Sequence, residues 1–188
     1  MIDPFDITKF DRTDAELEEF FLFCGCVAGK TATTQARLLD TMLAGVFGSS
    51  PFDKIRRLIR NDTLMEALKL SRLGQYGRLY NYMSDAVKLD LRNCNVSDLE
   101  RVRGCGPKTA RMFLMHSRPK QRLAAIDTHV LKYLASENVK VPKATPPAGP
   151  SYRRLEEDFL RLADEANMDI ADYDLMIWKR YANGGRDE

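Results

Sequence analysis

Lys108 and Asp127 are side chains of types that can carry chemistry together, nineteen residues apart in a stretch of distinctive composition. A lysine amine is a nucleophile once it sheds its proton, and a carboxylate with apolar neighbours beside it can adjust that proton affinity. Asp127 follows the apolar run 123–126 and precedes Thr-His-Val-Leu-Lys. An aspartate there also makes a good helix N-cap, so both roles stand open. Lys108 follows Gly104-Cys105-Gly106-Pro107, and two glycines around one residue let the backbone turn tightly and approach a ligand. The amides of Gly106, Lys108 and Thr109 then stand at a helix N-terminus, where the dipole and unpaired N–H groups favour an anion. Between 101 and 126 there are seven Lys or Arg and no Asp or Glu, in a chain of 188 residues with net charge +2. A local basic run on a nearly neutral chain points to a face that meets phosphate, with Arg103 and Arg118 as further cations. The plainer alternatives are a hairpin that only joins two helices and a surface turn at 116–119.

Helices must position these residues, because almost every segment carries apolar residues at three- and four-residue spacing. Thr13-Asp14-Ala15-Glu16 is a capping box opening a helix that ends near 28–29. Further helices are expected at 33–46, at 51–59 behind Ser50-Pro51, and from a cap at Asn61-Asp62 to Leu70. After the break at Gly74, one runs from Tyr76 to about Leu89, one over 96–102, one from Pro107 and one from Asp127. A Pro-rich loop at 141–150 precedes helices at 152–167 and 169–182, the last ended by Gly184-Gly185. The expected fold is all-α with about ten short helices. Leu155, Phe159 and Trp178 are read as core of the C-terminal part, and Tyr76 and Tyr80 as packing residues, with stacking on a base as the alternative.

Composition narrows the class. With 44% hydrophobic and 30% charged residues the chain reads as an ordinary soluble protein. Its longest apolar run, 20–28, is too short to span a bilayer, and no secretory leader is visible, so no membrane partner and a cytoplasmic location are expected. Cys24, Cys26, Cys94 and Cys105 form no CxxC pair, and with two histidines they suggest neither a zinc site nor an iron–sulphur cluster. No metal ligands are assigned, and buried thiols are the expectation.

Leu99-x-x-x-x-Gly104-x-Gly106-x-Lys108-Thr109-Ala110 followed by Ala125-Ile126-Asp127-Thr128-His129-Val130 strongly resembles the helix–hairpin–helix superfamily of DNA glycosylases. The likeness extends to FFLFCGCVAGKTATTQARLL at 20–39 and to Leu73-Gly74-Gln75-Tyr76. It implies a two-lobed fold without an iron–sulphur cluster, with DNA bound across a cleft. One lobe would be a helical barrel at 30–125 holding the helix–hairpin–helix at about 97–116. The other would combine 1–29 with 126–188. The resemblance implies Asp127 as the catalytic carboxylate and Lys108, in members that have a lysine there, as nucleophile. It places Lys30 where a side chain fills the gap left by an extruded base, and Gln35 with Arg37 toward the minor groove.

A narrower resemblance rests on FCGCVAGKTATTQARLL, GPKTARMFLMHSRPKQRLAAIDTHVLKYL, YRRLEEDFL and DLMIW. These are similar to the phage proteins that hypermodify thymine, the amino acid:DNA transferases and glutamyl-putrescinyl-thymine pyrophosphorylase-like proteins. That likeness implies transfer of an amino acid such as glycine onto phosphate-activated 5-hydroxymethyluracil in DNA, in the host cytoplasm if the gene is phage-borne. The implied DNA and phosphate ligands are Lys30, Gln35, Arg103, Gly104, Gly106, Lys108, Thr109 and Arg118, with Asp127 and Lys108 catalytic. The implied partners are double-stranded DNA with an extruded base and an amino acid co-substrate, met by a monomer. No cofactor is required, a monovalent cation at the hairpin being the one candidate. A bifunctional glycosylase and abasic-site lyase is the alternative reading, and a non-catalytic DNA-binding module the second.

Overall fold

Local caps decide most boundaries in the computed structural model, which describes residues 1–182. Thr13 accepts from the Glu16 amide while Glu16 reaches back to the Thr13 amide, and α1 (Asp14–Cys26) starts there. Ser50 caps α3 (Pro51–Arg60) by accepting from the Asp53 amide, and Asn95 with Asp98 forms a second capping box before α6 (Val96–Glu100). The remaining helices are α2 (Ala32–Ala44), α4 (Leu64–Leu70), α5 (Tyr76–Ala86), α7 (Pro107–Ser117), α8 (Thr128–Ser136), α9 (Pro150–Glu165) and α10 (Ile170–Ala182). Ten helices and no strand occur among the described residues, none long and apolar enough to cross a membrane.

Several boundaries differ from expectation. Asp62 sits at φ 55, so α4 waits until Leu64, with Thr63 at its N-cap and Asn61 closing α3 instead. Aspartate tolerates that conformation because its short polar side chain bonds locally. His116 and Ser117 are not in a surface turn. They form the last turn of α7, and His116 is fully buried, its ring bonding Thr8 Oγ1 at 2.8 Å and Asp174 Oδ2 at 3.2 Å. α9 opens at Pro150, where the missing N–H is harmless at a first helical position. The expected stop at Gly184-Gly185 lies outside the described residues.

The chain divides into two compact units, Met1–Ile7 with Asp11–Cys105 and Thr8–Phe10 with Gly106–Glu188. The lobes drawn at 30–125 and at 1–29 with 126–188 follow a different line, since the division falls inside the hairpin after Cys105. In the first unit, residues 20–26 are buried without a break, which makes α1 the central helix, packed on α2, α3 and α5. Gly25 makes one such approach possible: a Cβ there would lie 2.2 Å from the Tyr82 ring. That ring packs 5.1 Å from Phe21 and its hydroxyl donates to the Phe21 carbonyl at 2.7 Å.

In the second unit α7 is the buried helix, every residue from Thr109 to Ser117 being enclosed, and α10 packs on α7, α8 and α9. Leu155 and Phe159 are core residues there, each a burial worth about 1.5–3 kcal/mol, whereas Trp178 is half-buried. Phe159 meets Tyr173 edge-on at 5.4 Å, and Tyr173 shares a hydroxyl–hydroxyl bond with Tyr133.

Candidate functional site

The hairpin turns because Gly104 takes φ +85, a conformation costly for any residue with a Cβ. Gly106 is then the extended N-cap of α7, Pro107 its first residue, and Lys108 and Thr109 complete the opening turn. No side chain caps that end. Lys108 is half-buried and its ammonium lies along the helix, donating to the Met112 thioether at 3.1 Å. A thioether is a weak acceptor, so this contact orients the amine without supplying a counter-charge. Thr109 is buried, so its contribution to an anion site is its backbone amide. Arg118 caps the other end of α7 through its own amide, bonded to the Leu114 carbonyl at 3.1 Å.

Asp127 is the N-cap of α8. Its Oδ1 accepts from the His129 amide at 2.8 Å and the Val130 amide at 3.0 Å, and among the described residues Oδ2 takes no hydrogen bond. One oxygen thus fixes the carboxylate while the other is open to a ligand. The segment before it is held from below. Tyr152 Oη donates to the Ala124 carbonyl at 2.9 Å and accepts from the Ile126 amide at 2.9 Å. Glu156 Oε1 takes the Ala124 amide at 2.9 Å and the Arg111 Nε at 2.8 Å. The Arg111 guanidinium lies 4.5 Å over the Tyr152 ring. Burial pushes the Tyr152 hydroxyl far above the usual phenol range, so it remains a donor. Lys108 and Asp127 therefore both open helices of the second unit.

The other proposed ligands belong to the first unit. Lys30 is exposed in the loop after α1, its Nζ 3.4 Å from where a Gly74 Cβ would stand. Three side chains hold that loop and the turn beside it. Gln75 Nε2 donates to the Ala28 carbonyl at 3.0 Å, and Arg78 Nη2 donates to the Gly25 carbonyl at 2.7 Å. Gln35 is the third, and it corrects the minor-groove placement: it is buried, and its amide nitrogen, assigned from the bonding pattern, donates to the carbonyls of Cys26 at 3.3 Å and Leu73 at 3.2 Å. Arg78 also donates through Nη1 to the Gly104 carbonyl at 3.0 Å, so one guanidinium braces both the Lys30 loop and the hairpin tip. Burial lowers its pKa below the ordinary arginine value. A monovalent cation at the hairpin would find the Gly104 carbonyl already facing that positive charge.

The basic run is largely met by carboxylates from elsewhere in the chain. Arg103 grips Asp85 through Nε at 2.7 Å and Nη2 at 3.1 Å, and those bonds hold the Asp85 carboxyl well below its ordinary range. Arg101 pairs with Asp98, Arg111 with Glu156 and Arg122 with Asp164. Among the described residues, at least four of the seven cations are in ion pairs, and the phosphate-meeting face is narrower than the run implies. A phosphate reaching Arg103 would compete with Asp85 for its guanidinium.

Sequence reasoning missed Arg78, Tyr152 and Glu156. The signal for the last two was present: 152, 155, 156 and 159 form one helical stripe, and two of its four positions are polar. Polar residues in an apolar stripe require buried partners. The four thiols are buried and none is in a disulfide, and desolvation pushes those of Cys26 and Cys105 up to about 12. No group of three or more His, Cys, Asp or Glu fit to hold a metal occurs among the described residues.

No family model matches this sequence, and no curated protein does. Among solved structures, the chain is similar to the 8-oxoguanine DNA glycosylase of Methanocaldococcus jannaschii, with TM-score 0.72 and 22% identity over 96% of this chain and 84% of that one. It is likewise similar to that organism's 8-oxoguanine glycosylase/lyase in complex with a 15mer DNA containing 8-oxoguanine, with TM-score 0.71 and 20% identity over 94% and 86% of the two chains. The likeness shows that this chain shares the all-helical fold of those two structures.

Proposed function

We propose that this protein is an enzyme acting on a base turned out of double-stranded DNA, and that it transfers an amino acid such as glycine onto phosphate-activated 5-hydroxymethyluracil. The observation that carries the reading is Asp127, fixed by two amides on Oδ1 with Oδ2 open, on a fold shared with enzymes of DNA bases. The sequence phrases shared with the phage hypermodification proteins favour transfer over excision. In the reaction the amine nitrogen of the amino acid attacks the methylene carbon, and the carbon–oxygen bond to phosphate breaks with its electron pair leaving on the phosphate. Asp127 accepts the amine proton. The amides at the start of α7, with Lys108, stabilise the departing phosphate. Because the uracil ring assists departure, orientation contributes more than nucleophile strength. A monomer in the cytoplasm meeting duplex DNA and a free amino acid completes the proposal.

Excision is the second reading, and Lys108 favours it. A half-buried amine that, among the described residues, bonds a thioether and no carboxylate suits attack on the sugar carbon once deprotonated, and one structural neighbour is a glycosylase/lyase. Two assays on one preparation separate the readings. Transfer leaves the glycosidic bond intact and adds the amino acid to the nucleotide; a lyase cross-links to abasic duplex on borohydride treatment through Lys108 and releases a free base. Turnover in neither assay, with equal affinity for modified and ordinary duplex, would leave a binding module and refute both enzyme readings.

A further inference from the structure

We infer that Tyr152 is a positioning residue for Asp127, acting through the peptide segment 124–126 and set in turn by the buried Arg111–Glu156 pair. The inference rests on the reading above, in which Asp127 is the carboxylate that meets substrate.

The segment before Asp127 belongs to no helix, so no helix of its own fixes where the carboxylate starts. Two bonds from one hydroxyl do so instead, at 2.9 Å to the Ala124 carbonyl and 2.9 Å from the Ile126 amide. The Ile126 N–H also faces the Ala124 carbonyl at 3.1 Å, so the hydroxyl closes a tight turn at its open side. Residues 124–126 are buried, as is Tyr152, and a buried peptide group without such a partner is costly. Glu156 adds the Ala124 amide, and its charge is met by Arg111. Arg111 Nη1 also donates to the Pro107 carbonyl at 3.2 Å, in the opening turn of α7 next to Lys108.

The bonds form one continuous path, from Pro107 through Arg111, Glu156 and Ala124 to Tyr152 and Ile126, ending at Asp127. Its effect is to fix the turns carrying Lys108 and Asp127 on one buried frame. Generic core packing would need the tyrosine ring but not its hydroxyl, which makes Tyr152→Phe the discriminating change. It keeps the ring and the arginine stacked on it, and removes only the oxygen.

Amide exchange and turnover together test this on the full chain. In Tyr152→Phe the melting temperature falls by a few degrees, as the loss of two buried hydrogen bonds requires, while the protein stays folded and the amides of Ile126, His129 and Val130 exchange faster. Turnover falls on the order of ten- to a hundred-fold with KM nearly unchanged, as expected when a reacting group is displaced while the groups that bind substrate stay in place. Asp127→Asn with Tyr152→Phe is no slower than Asp127→Asn alone, because the hydroxyl acts through the carboxylate. Parent-like exchange at the three amides, or a double variant slowed by the product of the single effects, would overturn the inference. Full turnover in Asp127→Asn would instead refute the role of Asp127 in the reaction, and the exchange result would still decide whether Tyr152 holds the segment.

Discussion

At the scale of residues, the hairpin region is a set of charges whose partners matter as much as their number. Asp85 illustrates this, since it accepts both Arg103 nitrogens and the Arg103 amide and is held below its ordinary pKa. A carboxylate with a depressed folded pKa stabilises above its unfolded value, about 4, and loses that contribution as pH falls toward the folded value. The parent should therefore exceed Asp85→Asn in urea midpoint at neutral pH, with the gap narrowing steadily below about pH 4. A gap independent of pH would show that Asp85 contributes by something other than its charge. Lys108 gives a second prediction at this scale. If its ammonium meets a phosphate, Lys108→Gln lowers the magnitude of the log affinity against log salt slope for duplex DNA by about 1.

At the scale of elements, the hairpin and the Lys30 loop are braced by a single side chain on α5. A Cβ on Gly104 would stand 2.8 Å from Arg78 Cγ and 3.2 Å from its carbonyl, in a backbone conformation already unfavourable for alanine. Gly104→Ala should cost about 1–2 kcal/mol from the backbone alone, read as a lower urea midpoint. Arg78→Ala, which removes the bonds to the Gly25 and Gly104 carbonyls, should cost about 2 kcal/mol. The two changes act on the same bond, so the combined cost falls short of their sum. These elements also show what a sequence reveals. The Thr13–Glu16 box, Ser50-Pro51 and Pro107 are local signals, and the helices start where they say. Asp127 is legible as a cap for the same reason. Gln35 is not, because its partners at Cys26 and Leu73 come from other segments. The basic run misleads likewise, since Asp85, Glu156 and Asp164 reach it only after folding.

At the scale of the whole molecule, the fold is shared with two solved glycosylase structures, and the chain's own side chains must supply the chemistry. All four thiols are buried, and those of Cys26 and Cys105 are pushed up to about 12. The folded protein should thus resist a thiol-specific reagent at neutral pH and consume it fully once unfolded in denaturant. Rapid labelling of the native protein would contradict the burial. The central claim is that Asp127 serves an enzyme that decorates a base rather than removing it. The most direct measurement digests a duplex carrying phosphorylated 5-hydroxymethyluracil to nucleosides after incubation with the protein and glycine, and weighs the products. The account predicts a nucleoside in which glycine has replaced the phosphate, formed by the parent and not by Asp127→Asn, although both bind the duplex. A free base, an abasic product, or equal transfer by Asp127→Asn would contradict it.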